Sequence, residues 1–187
     1  RYGTLDALSG GRLILGVGVG TLEEEFAVLD ARFDGRGEQA DDALRALQAS
    51  LGRPVPAYEG KHYRYAAMVV EPHAVQEHVP LWVGGRTGRS LRRAVTPADG
   101  WMPMALSPEQ CAKMVADADA PPGFDLVLGP PRPLDPAGHP DRTQEMLARL
   151  AGAGATVVNA VFRHRTLSEY LEQMEALSEL AGLEVGA

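Results

Sequence analysis

The chain has 187 residues, of which 45% are hydrophobic and 23% charged, enough for one domain of an ordinary globular protein. The formal net charge of −7 argues against a nucleic acid as partner. No apolar run approaches the roughly 18 residues that a membrane span needs and no secretory signal opens the chain, so we expect a cytoplasmic protein with no membrane partner. The single Cys111 excludes an intramolecular disulfide, and no Cys/His spacing indicates a metal site.

Short apolar runs alternate with amphipathic stretches from the start of the chain. Residues 12–20 are predicted as a strand that ends in glycines. Residues 38–51 are predicted as a helix, because apolar side chains recur there at helical spacing. Residues 53–79 interrupt the alternation with prolines, and the alternating residues 61–65 predict a small exposed hairpin.

The alternation then resumes to the end of the chain. Residues 80–85, 99–104, 124–129 and 156–162 are predicted strands, followed by helices through 90–95, from 108, over 143–150 and over 167–180. Ser107 is the predicted N-cap of one helix, with Gln110 as its capping-box partner. The closing helix carries one apolar stripe, which includes Leu167, Leu171 and Met174.

About five strand–helix units in a row predict an α/β fold, a parallel sheet covered by helices. Two architectures fit this order: an open doubly wound sheet, or part of an eightfold barrel. We expect a single domain over residues 1–187, with residues 53–79 as an inserted hairpin and loop region.

The strongest physical signal is a strand, two glycines and a helix start. Gly84 and Gly85 let the backbone approach a ligand, and the helix N-terminus favours an anion. Arg86 adds a cation that can form two hydrogen bonds to one phosphate, and Thr87 adds a hydroxyl donor. We therefore predict a phosphate site here. The alternative is a tight turn with solvated arginines. Arg92 and Arg93, further along the helix, are predicted surface residues.

The first glycine run, Gly16 to Gly20, does not fit a dinucleotide fingerprint. That motif needs G-x-G-x-x-G, and the sixth position counted from Gly16 is Thr21. The acidic residues 23–25 at the following helix start would also repel a pyrophosphate. We interpret Gly18 and Gly20 as allowing a flat ring or a substrate to approach the strand end.

Together these motifs resemble the luciferase-like monooxygenase superfamily, and more narrowly its branch that uses the deazaflavin coenzyme F420. The segment 5–26 resembles the central segment of that family. Tyr58-Glu-Gly-Lys-His-Tyr63, Pro80-Leu-Trp-Val-Gly-Gly85 and Ala98-Asp-Gly-Trp-Met-Pro103 follow in the family order. The resemblance covers nearly the whole chain.

The resemblance implies a (β/α)8 TIM barrel that carries coenzyme F420, or FMN as second choice, on its C-terminal face. It gives the phosphate role to Gly84, Gly85, Arg86 and Thr87, and it places Gly18 and Gly20 near the ring system. The loop that ends at Ser107 would close over the coenzyme. The implied reaction is hydride transfer or monooxygenation on an unknown small organic substrate.

The sequence departs from the family pattern in two places. Thr21 stands where many relatives have Trp, which puts a ring-facing aromatic in doubt. The resemblance also places residues 12–20 at the fourth barrel strand, so the first three strand–helix units are missing, and a barrel typically takes about 250 residues. The alternative function is therefore a non-catalytic truncated barrel that binds a flavin or a partner chain. We expect a homodimer or association with the missing barrel half.

Among the remaining polar residues, His164 is the one weak catalytic candidate, as a proton donor or anion contact after the fifth strand. His139 is interpreted as an exposed loop residue. Asp99 is assigned a structural role, and Trp82 and Trp101 are assigned to the core.

Overall fold

The computed structural model describes residues 1–182 and divides the chain into two compact units. The first unit comprises residues 1–101 and 121–124, and the second comprises residues 102–120 and the chain from Asp125 onwards. All five predicted strands are present, each followed by a helix. The single domain with an insertion at residues 53–79 stays a prediction.

The first unit contains four helices and two small groups of strands. Its helices are α1 (Tyr2–Ser9), α2 (Glu23–Val28), α3 (Arg36–Gln48) and α4 (Gly88–Val95). Its strands are β1 (Leu15–Val17), β2 (Tyr58–Glu59), β3 (Arg64–Tyr65) and β4 (Leu81–Gly85), with the first two residues of β5 (Gly100–Pro103). The strand order is β1-β4-β5, and β1 and β4 are parallel.

The two faces of the β1–β4 pair differ in burial. Leu15 pairs with Leu81 and Val17 with Val83, and the two β4 residues are almost fully buried. Because residues in register share a face, these four side chains lie on one side of the sheet and Gly16 and Trp82 on the other. Helix α4 packs against β4 and buries Leu91 and Ala94. One face therefore forms the core, and the other carries Gly16 and the partly buried Trp82.

A hairpin is present where residues 61–65 predicted one, but it starts earlier in the chain. Its strands are β2, at residues 58–59, and β3, at residues 64–65. They pair antiparallel, with Tyr58 opposite Tyr65. A buried carboxylate, Asp42 of α3, accepts hydrogen bonds from the Tyr58 hydroxyl (2.6 Å) and from the backbone amides of His62 (2.6 Å) and Tyr63 (3.0 Å). The hydrogen bond from Tyr58 lowers the pKa of Asp42 below its ordinary value, although burial opposes it. Asp42 thus attaches the hairpin to α3.

Two sequence expectations about charged residues have opposite outcomes. Arg92 is exposed, as predicted, but the prediction of a surface position for Arg93 is wrong, since only 8% of it is exposed. The Arg93 guanidinium donates to the Asp41 carboxylate and to the carbonyl oxygen of Gly37 (3.0 Å), which ties α4 to α3. An apolar count along α4 could not show this, because the partner carboxylate lies about fifty residues away in sequence.

Helix α1 was not predicted from the sequence. It is anchored by Asp6, which is completely buried and accepts hydrogen bonds from the Leu13 amide (3.2 Å), the Gln76 amide (2.9 Å) and the Gln76 side chain (2.7 Å). Burial by itself would raise the pKa of Asp6, but the hydrogen bonds from Gln76 lower it below the ordinary value. Through its hydrogen bonds, the Asp6 carboxylate holds the segment that leads from α1 into β1 in place.

The second unit contains α5 (Pro108–Asp117), β6 (Asp125–Leu128), α6 (Pro140–Gly152), β7 (Val157–Val158) and α7 (Leu167–Ala181). Strands β6 and β7 are parallel, with Val127 opposite Val157, and a bridge from Leu134 to Phe162 continues the pairing. The predicted strand over residues 156–162 is therefore interrupted after Val158.

Two details of the second unit test finer predictions. The capping box of Ser107 and Gln110 at the start of α5 is confirmed. The apolar stripe of α7 is mostly not a buried face, because Leu167, Leu171 and Met174 are exposed while Gln173 is buried. Gln173 is buried because it hydrogen-bonds Asp135 (2.8 Å). Over residues 1–182, none of the helices combines the length and apolar character that crossing a bilayer requires.

Candidate functional site

Two glycine-containing segments leave neighbouring strands at the same edge of the sheet in the first unit. Val17 of β1 lies opposite Val83 of β4 in a parallel pair. The residues that follow them, Gly18 to Gly20 and Gly84 to Thr87, therefore leave the sheet side by side. This edge is the carboxyl end of the strands, where parallel α/β sheets bind their ligands.

Gly85 adopts a backbone conformation that requires glycine. Its φ of +147° lies in a region that side-chain-bearing residues rarely adopt. A Cβ atom at this position would also lie 2.5 Å from Cβ of Ser90. The neighbouring Gly84 is different, since its Cβ would meet nothing closer than the Val17 carbonyl oxygen at 3.7 Å. The turn therefore depends on Gly85 in particular.

The helix that follows begins with a complete capping box. Thr87 Oγ1 accepts from the Ser90 amide (3.3 Å), and Ser90 Oγ accepts from the Thr87 amide (3.1 Å) and donates to the Thr87 carbonyl (2.7 Å). The buried Trp101 indole also donates to Ser90 Oγ (3.3 Å), so the cap is attached to β5. Sequence reasoning missed Ser90; the spacing of Thr87 and Ser90 resembles a capping box but lacks its usual Glu or Gln.

The surface around this cap is cationic and open to solvent. Arg86, Thr87, Gly88 and Arg89 are all exposed. Within residues 1–182, no hydrogen bond engages the amides of Gly88 and Arg89, as is usual for the first turn of a helix, and no ion pair engages the two arginines. The segment 84–89, which we call the β4–α4 turn, can therefore offer backbone donors and two cations to an anion.

The first glycine run presents a flat surface beside the β4–α4 turn. Gly16 and Gly18 are exposed, and a Cβ atom at either position would meet no atom of the described residues within 4 Å. Gly20 differs from them, because its φ is +83° and its Cβ would lie 2.7 Å from the Phe26 ring. Packing within the described residues explains Gly20 but leaves Gly16 and Gly18 without a structural reason.

Sequence reasoning also missed a set of contacts beyond Gly20. The rings of Phe26 and Phe33 meet edge to face at 5.3 Å between centroids, and the Arg36 guanidinium lies 3.5 Å from the centroid of Phe33. Arg36 Nε donates to the Gly20 carbonyl oxygen at 3.2 Å. Thr21 is exposed. The available signals in the sequence are two phenylalanines seven residues apart and an arginine at the start of the next helix.

Two of the predicted site residues belong to the second unit. Ser107 caps α5, where its Oγ accepts from the Gln110 amide at 3.2 Å. His164 is exposed, with Nδ1 at 2.9 Å from the Phe162 carbonyl oxygen and its ring 5.0 Å from that of Tyr170. His139 occupies the N-cap position of α6 without a capping hydrogen bond from its side chain, and its Nδ1 lies 3.1 Å from Asp135 Oδ2. The first unit thus holds Gly18, Gly20 and the residues 84–87.

The other polar groups named from the sequence have structural partners. Asp99 accepts from the Leu81 amide (2.8 Å) and lies 2.6 Å from His78 Nε2, at the start of β5. Trp101 is completely buried, while Trp82 is only partly buried. In the part of the chain that the structure describes, no group of three or more metal-ligating side chains is found.

The family model described as luciferase-like monooxygenase matches residues 1–123 of the chain. An uncharacterised protein of Mycobacterium bovis is 30% identical over 116 residues, which are 62% of this chain and 40% of that protein. An uncharacterised protein of Mycobacterium tuberculosis is 29% identical over 180 residues, 94% of this chain and 61% of that protein. The chain thus spans about two fifths to three fifths of the length of these relatives.

Solved structures with the same fold include the monooxygenase RslO1 from Streptomyces bottropensis. It is 17% identical, with a TM-score of 0.76 over 95% of this chain and 70% of that one. The coenzyme F420-dependent tetrahydromethanopterin reductase from Methanopyrus kandleri is 16% identical, with a TM-score of 0.65 over 98% of this chain and 78% of that one. These likenesses confirm the α/β fold of the luciferase-like TIM-barrel type.

Proposed function

Because the chain belongs to the luciferase-like monooxygenase family, we propose that it forms the coenzyme-binding part of an oxidoreductase that uses coenzyme F420 or FMN. The reaction is hydride transfer or monooxygenation on a small organic substrate. In that reaction the bound coenzyme supplies the hydride acceptor or donor, or the site at which oxygen is activated. The residues of this chain bind and orient it.

The β4–α4 turn is the observation that carries this proposal. It combines a glycine-only backbone at Gly85, the amides of Gly88 and Arg89, which have no partner within residues 1–182, and the exposed cations of Arg86 and Arg89. These are the donors that a phosphate group takes in proteins. Thr87 stabilises the start of α4 as its N-cap residue. While Thr87 Oγ1 accepts a hydrogen bond from the Ser90 amide, its hydroxyl can still donate a hydrogen bond to a ligand. The residues present therefore fit the phosphate that both coenzymes carry.

F420 is the first choice of coenzyme for two reasons. The sequence motifs resemble the F420-dependent branch, and two structures with the same fold are F420-dependent: the tetrahydromethanopterin reductase and a secondary alcohol dehydrogenase bound to an F420–acetone adduct. Gly16 and Gly18 leave open space beside the phosphate site, as a planar ring system would need. FMN is the second choice.

Two residues of the second unit have proposed roles that rest on the family resemblance. The resemblance assigns Ser107, the N-cap residue of α5, to coenzyme binding. His164 would move a proton at Nε2, since its Nδ1 is hydrogen-bonded to the Phe162 carbonyl oxygen and so carries the ring proton in the neutral form. Both assignments are tested by the separate effects of Ser107→Ala on coenzyme binding and His164→Gln on turnover.

The central experiment compares ligands that differ by one phosphate. The purified protein is titrated with F420, FMN and riboflavin, and binding is followed by fluorescence. We expect F420 or FMN to bind, and the phosphate-bearing FMN to bind more tightly than riboflavin. Arg86→Gln should weaken FMN binding by about tenfold, the value of one charged hydrogen bond, and leave riboflavin binding unchanged.

Arg45→Gln is the control, because Arg45 is an exposed arginine of α3 and does not belong to the turn. It should alter neither affinity. If the protein bound neither F420 nor FMN, the proposed function would be wrong. If FMN and riboflavin bound equally well, the coenzyme would not be held by its phosphate.

The assembly of the protein is a further part of the proposal. Helix α1 exposes Tyr2, Leu5 and Leu8, Ile14 beside it is also exposed, and β1 is the first strand in the order of its sheet. An apolar face next to an open strand edge favours association. We propose that a second copy or another barrel segment covers it. Light scattering that showed a stable monomer of this chain would contradict this.

A further inference from the structure

A closed ring of four contacts ends the first glycine run. The Phe26 ring packs on Gly20, so closely that a Cβ atom there would lie 2.7 Å from it. Phe33 meets Phe26 edge to face at 5.3 Å, and Arg36 stacks on Phe33 at 3.5 Å from the ring centroid. Arg36 Nε then donates to the Gly20 carbonyl oxygen (3.2 Å), which closes the ring. We call these four residues the Gly20 clasp.

The rest of the segment between Gly20 and Arg36 has little core of its own. Helix α2 has no buried residue, and Leu22, Val28 and Leu29 are 53%, 86% and 76% exposed. Regions with few buried contacts open at low free-energy cost. The position of residues 21–35 relative to Gly20 therefore depends strongly on the clasp.

We infer that Arg36 is a positioning residue, which holds residues 21–35 against Gly20 and so shapes the ring end of the coenzyme site. This rests on the proposed function, and it adds a residue far from the β4–α4 turn. Arg36 suits the role because its planar fork makes two hydrogen bonds at once, from Nε to Gly20 and from Nη1 to the Phe33 carbonyl (3.2 Å), while its face stacks on the ring.

The inference makes a prediction that differs from that for Arg86. Arg36 acts through Gly20, the last residue of the flat glycine run, and not through the phosphate turn. Its loss should therefore weaken every ligand that has the ring system, with or without a phosphate. Arg86→Gln should weaken FMN binding but not riboflavin binding, whereas Arg36→Gln should weaken both equally.

The experiment measures FMN, riboflavin and F420 affinity for Arg36→Gln, Arg36→Lys and the control Arg45→Gln. Arg45 is an exposed arginine on the same helix, α3. We expect Arg36→Gln to weaken all ligands by about tenfold, the value of a charged hydrogen bond. Arg36→Lys should lose no more than about threefold, because a lysine can stay over the ring and donate one hydrogen bond. Arg45→Gln should bind as the unchanged protein does.

A second measurement follows the segment without any coenzyme. Arg32 is an exposed trypsin site between Phe26 and Phe33. Cleavage after Arg32, timed by mass spectrometry, should be several-fold faster in Arg36→Gln than in Arg45→Gln or the unchanged protein. Equal cleavage rates in the three proteins would overturn the inference, as would Arg36→Gln affinities within twofold of the unchanged protein.

The two proposals fail in different ways. If the unchanged protein binds neither F420 nor FMN, the proposed function fails, and with it the link from the clasp to a coenzyme; the cleavage rate at Arg32 then decides the clasp alone. If the unchanged protein binds a coenzyme but Arg36→Gln binds it equally well, the proposed function stands and Arg36 has no positioning role.

Discussion

Replacing Gly85 by alanine tests the β4–α4 turn without touching any charge. The substitution adds one methyl group at a position whose φ is +147° and whose Cβ would lie 2.5 Å from Ser90 Cβ. Gly84→Ala is the matched control on the preceding residue, since its Cβ would be 3.7 Å from the nearest atom, an ordinary van der Waals contact.

The expected loss of stability has two sources. Backbone strain at a glycine-only conformation costs on the order of 1–3 kcal/mol. The close approach to Ser90 also displaces the side chain that caps α4, and a helix cap contributes about 1 kcal/mol. Together they lower the free energy of unfolding by roughly 2–4 kcal/mol. Gly84→Ala should change it by less than about 1 kcal/mol, because alanine replaces glycine in a strand without strain.

Urea unfolding followed by circular dichroism measures both values. The coenzyme titration above is repeated at a temperature where both variants are folded, and Gly85→Ala should bind FMN more weakly than Gly84→Ala. Equal unfolding free energies for the two variants would refute the reasoning, since they would mean that the turn tolerates a side chain at both glycines.

Two further predictions concern the cap and the buried carboxylate. Thr87→Ala should lower the free energy of unfolding by about 1 kcal/mol, while Thr87→Ser keeps the hydroxyl cap and most of the stability; urea unfolding distinguishes them, and equal losses would contradict the capping role. The hydrogen bond from Tyr58 lowers the pKa of Asp42 below its ordinary 3.8. The resulting stabilisation is full above pH 3.8 and is lost as the pH falls through the lower pKa of the folded protein. Asp42→Asn should therefore flatten the acid side of a plot of melting temperature against pH, and an unchanged slope would contradict this.

Local signals predicted much of the fold correctly. The capping box of Ser107 and Gln110 lies within four consecutive residues, and the sequence predicts both partners correctly. The continuous apolar run ending in Val83-Gly84-Gly85 likewise predicted a buried strand and its turn. Such features depend on neighbours in sequence, and periodicity is sufficient to find them.

Two of the errors share one physical cause, which is a polar partner distant in sequence. Arg93 was assigned to the surface, yet it is buried because Asp41 and the Gly37 carbonyl receive its hydrogen bonds. The stripe of α7 was read from apolar spacing, but the buried position on that helix is Gln173, held by Asp135. The hydrophobicity of each position can be read from the sequence. Whether a polar group is buried depends on which other group in the fold forms a hydrogen bond or ion pair with it.

The candidate site also contains one part that depends on neighbours in sequence and one part that depends on contacts distant in sequence. The phosphate end at residues 84–87 was predicted from local glycine and helix-start chemistry. The clasp was not, because Phe26, Phe33 and Arg36 become a unit only when Gly20 lies beside them. Local sequence patterns therefore predict the phosphate end of the proposed site, whereas the contacts of the clasp are visible only in the structure.

Gly18 offers the opposite test to Gly85, because replacing Gly18 by alanine is expected not to lower the free energy of unfolding. A Cβ atom there would meet nothing within 4 Å in the described residues, so Gly18→Ala should keep or slightly raise the free energy of unfolding. If the open space beside Gly18 is filled by the coenzyme ring, the same methyl group should weaken F420 and FMN binding. A glycine that packing does not require but ligand binding does marks a binding surface. Unfolding and titration on one variant separate the two: a destabilised Gly18→Ala would show that packing does require this glycine, and a variant that binds as well as the unchanged protein would show that Gly18 has no role at the ring.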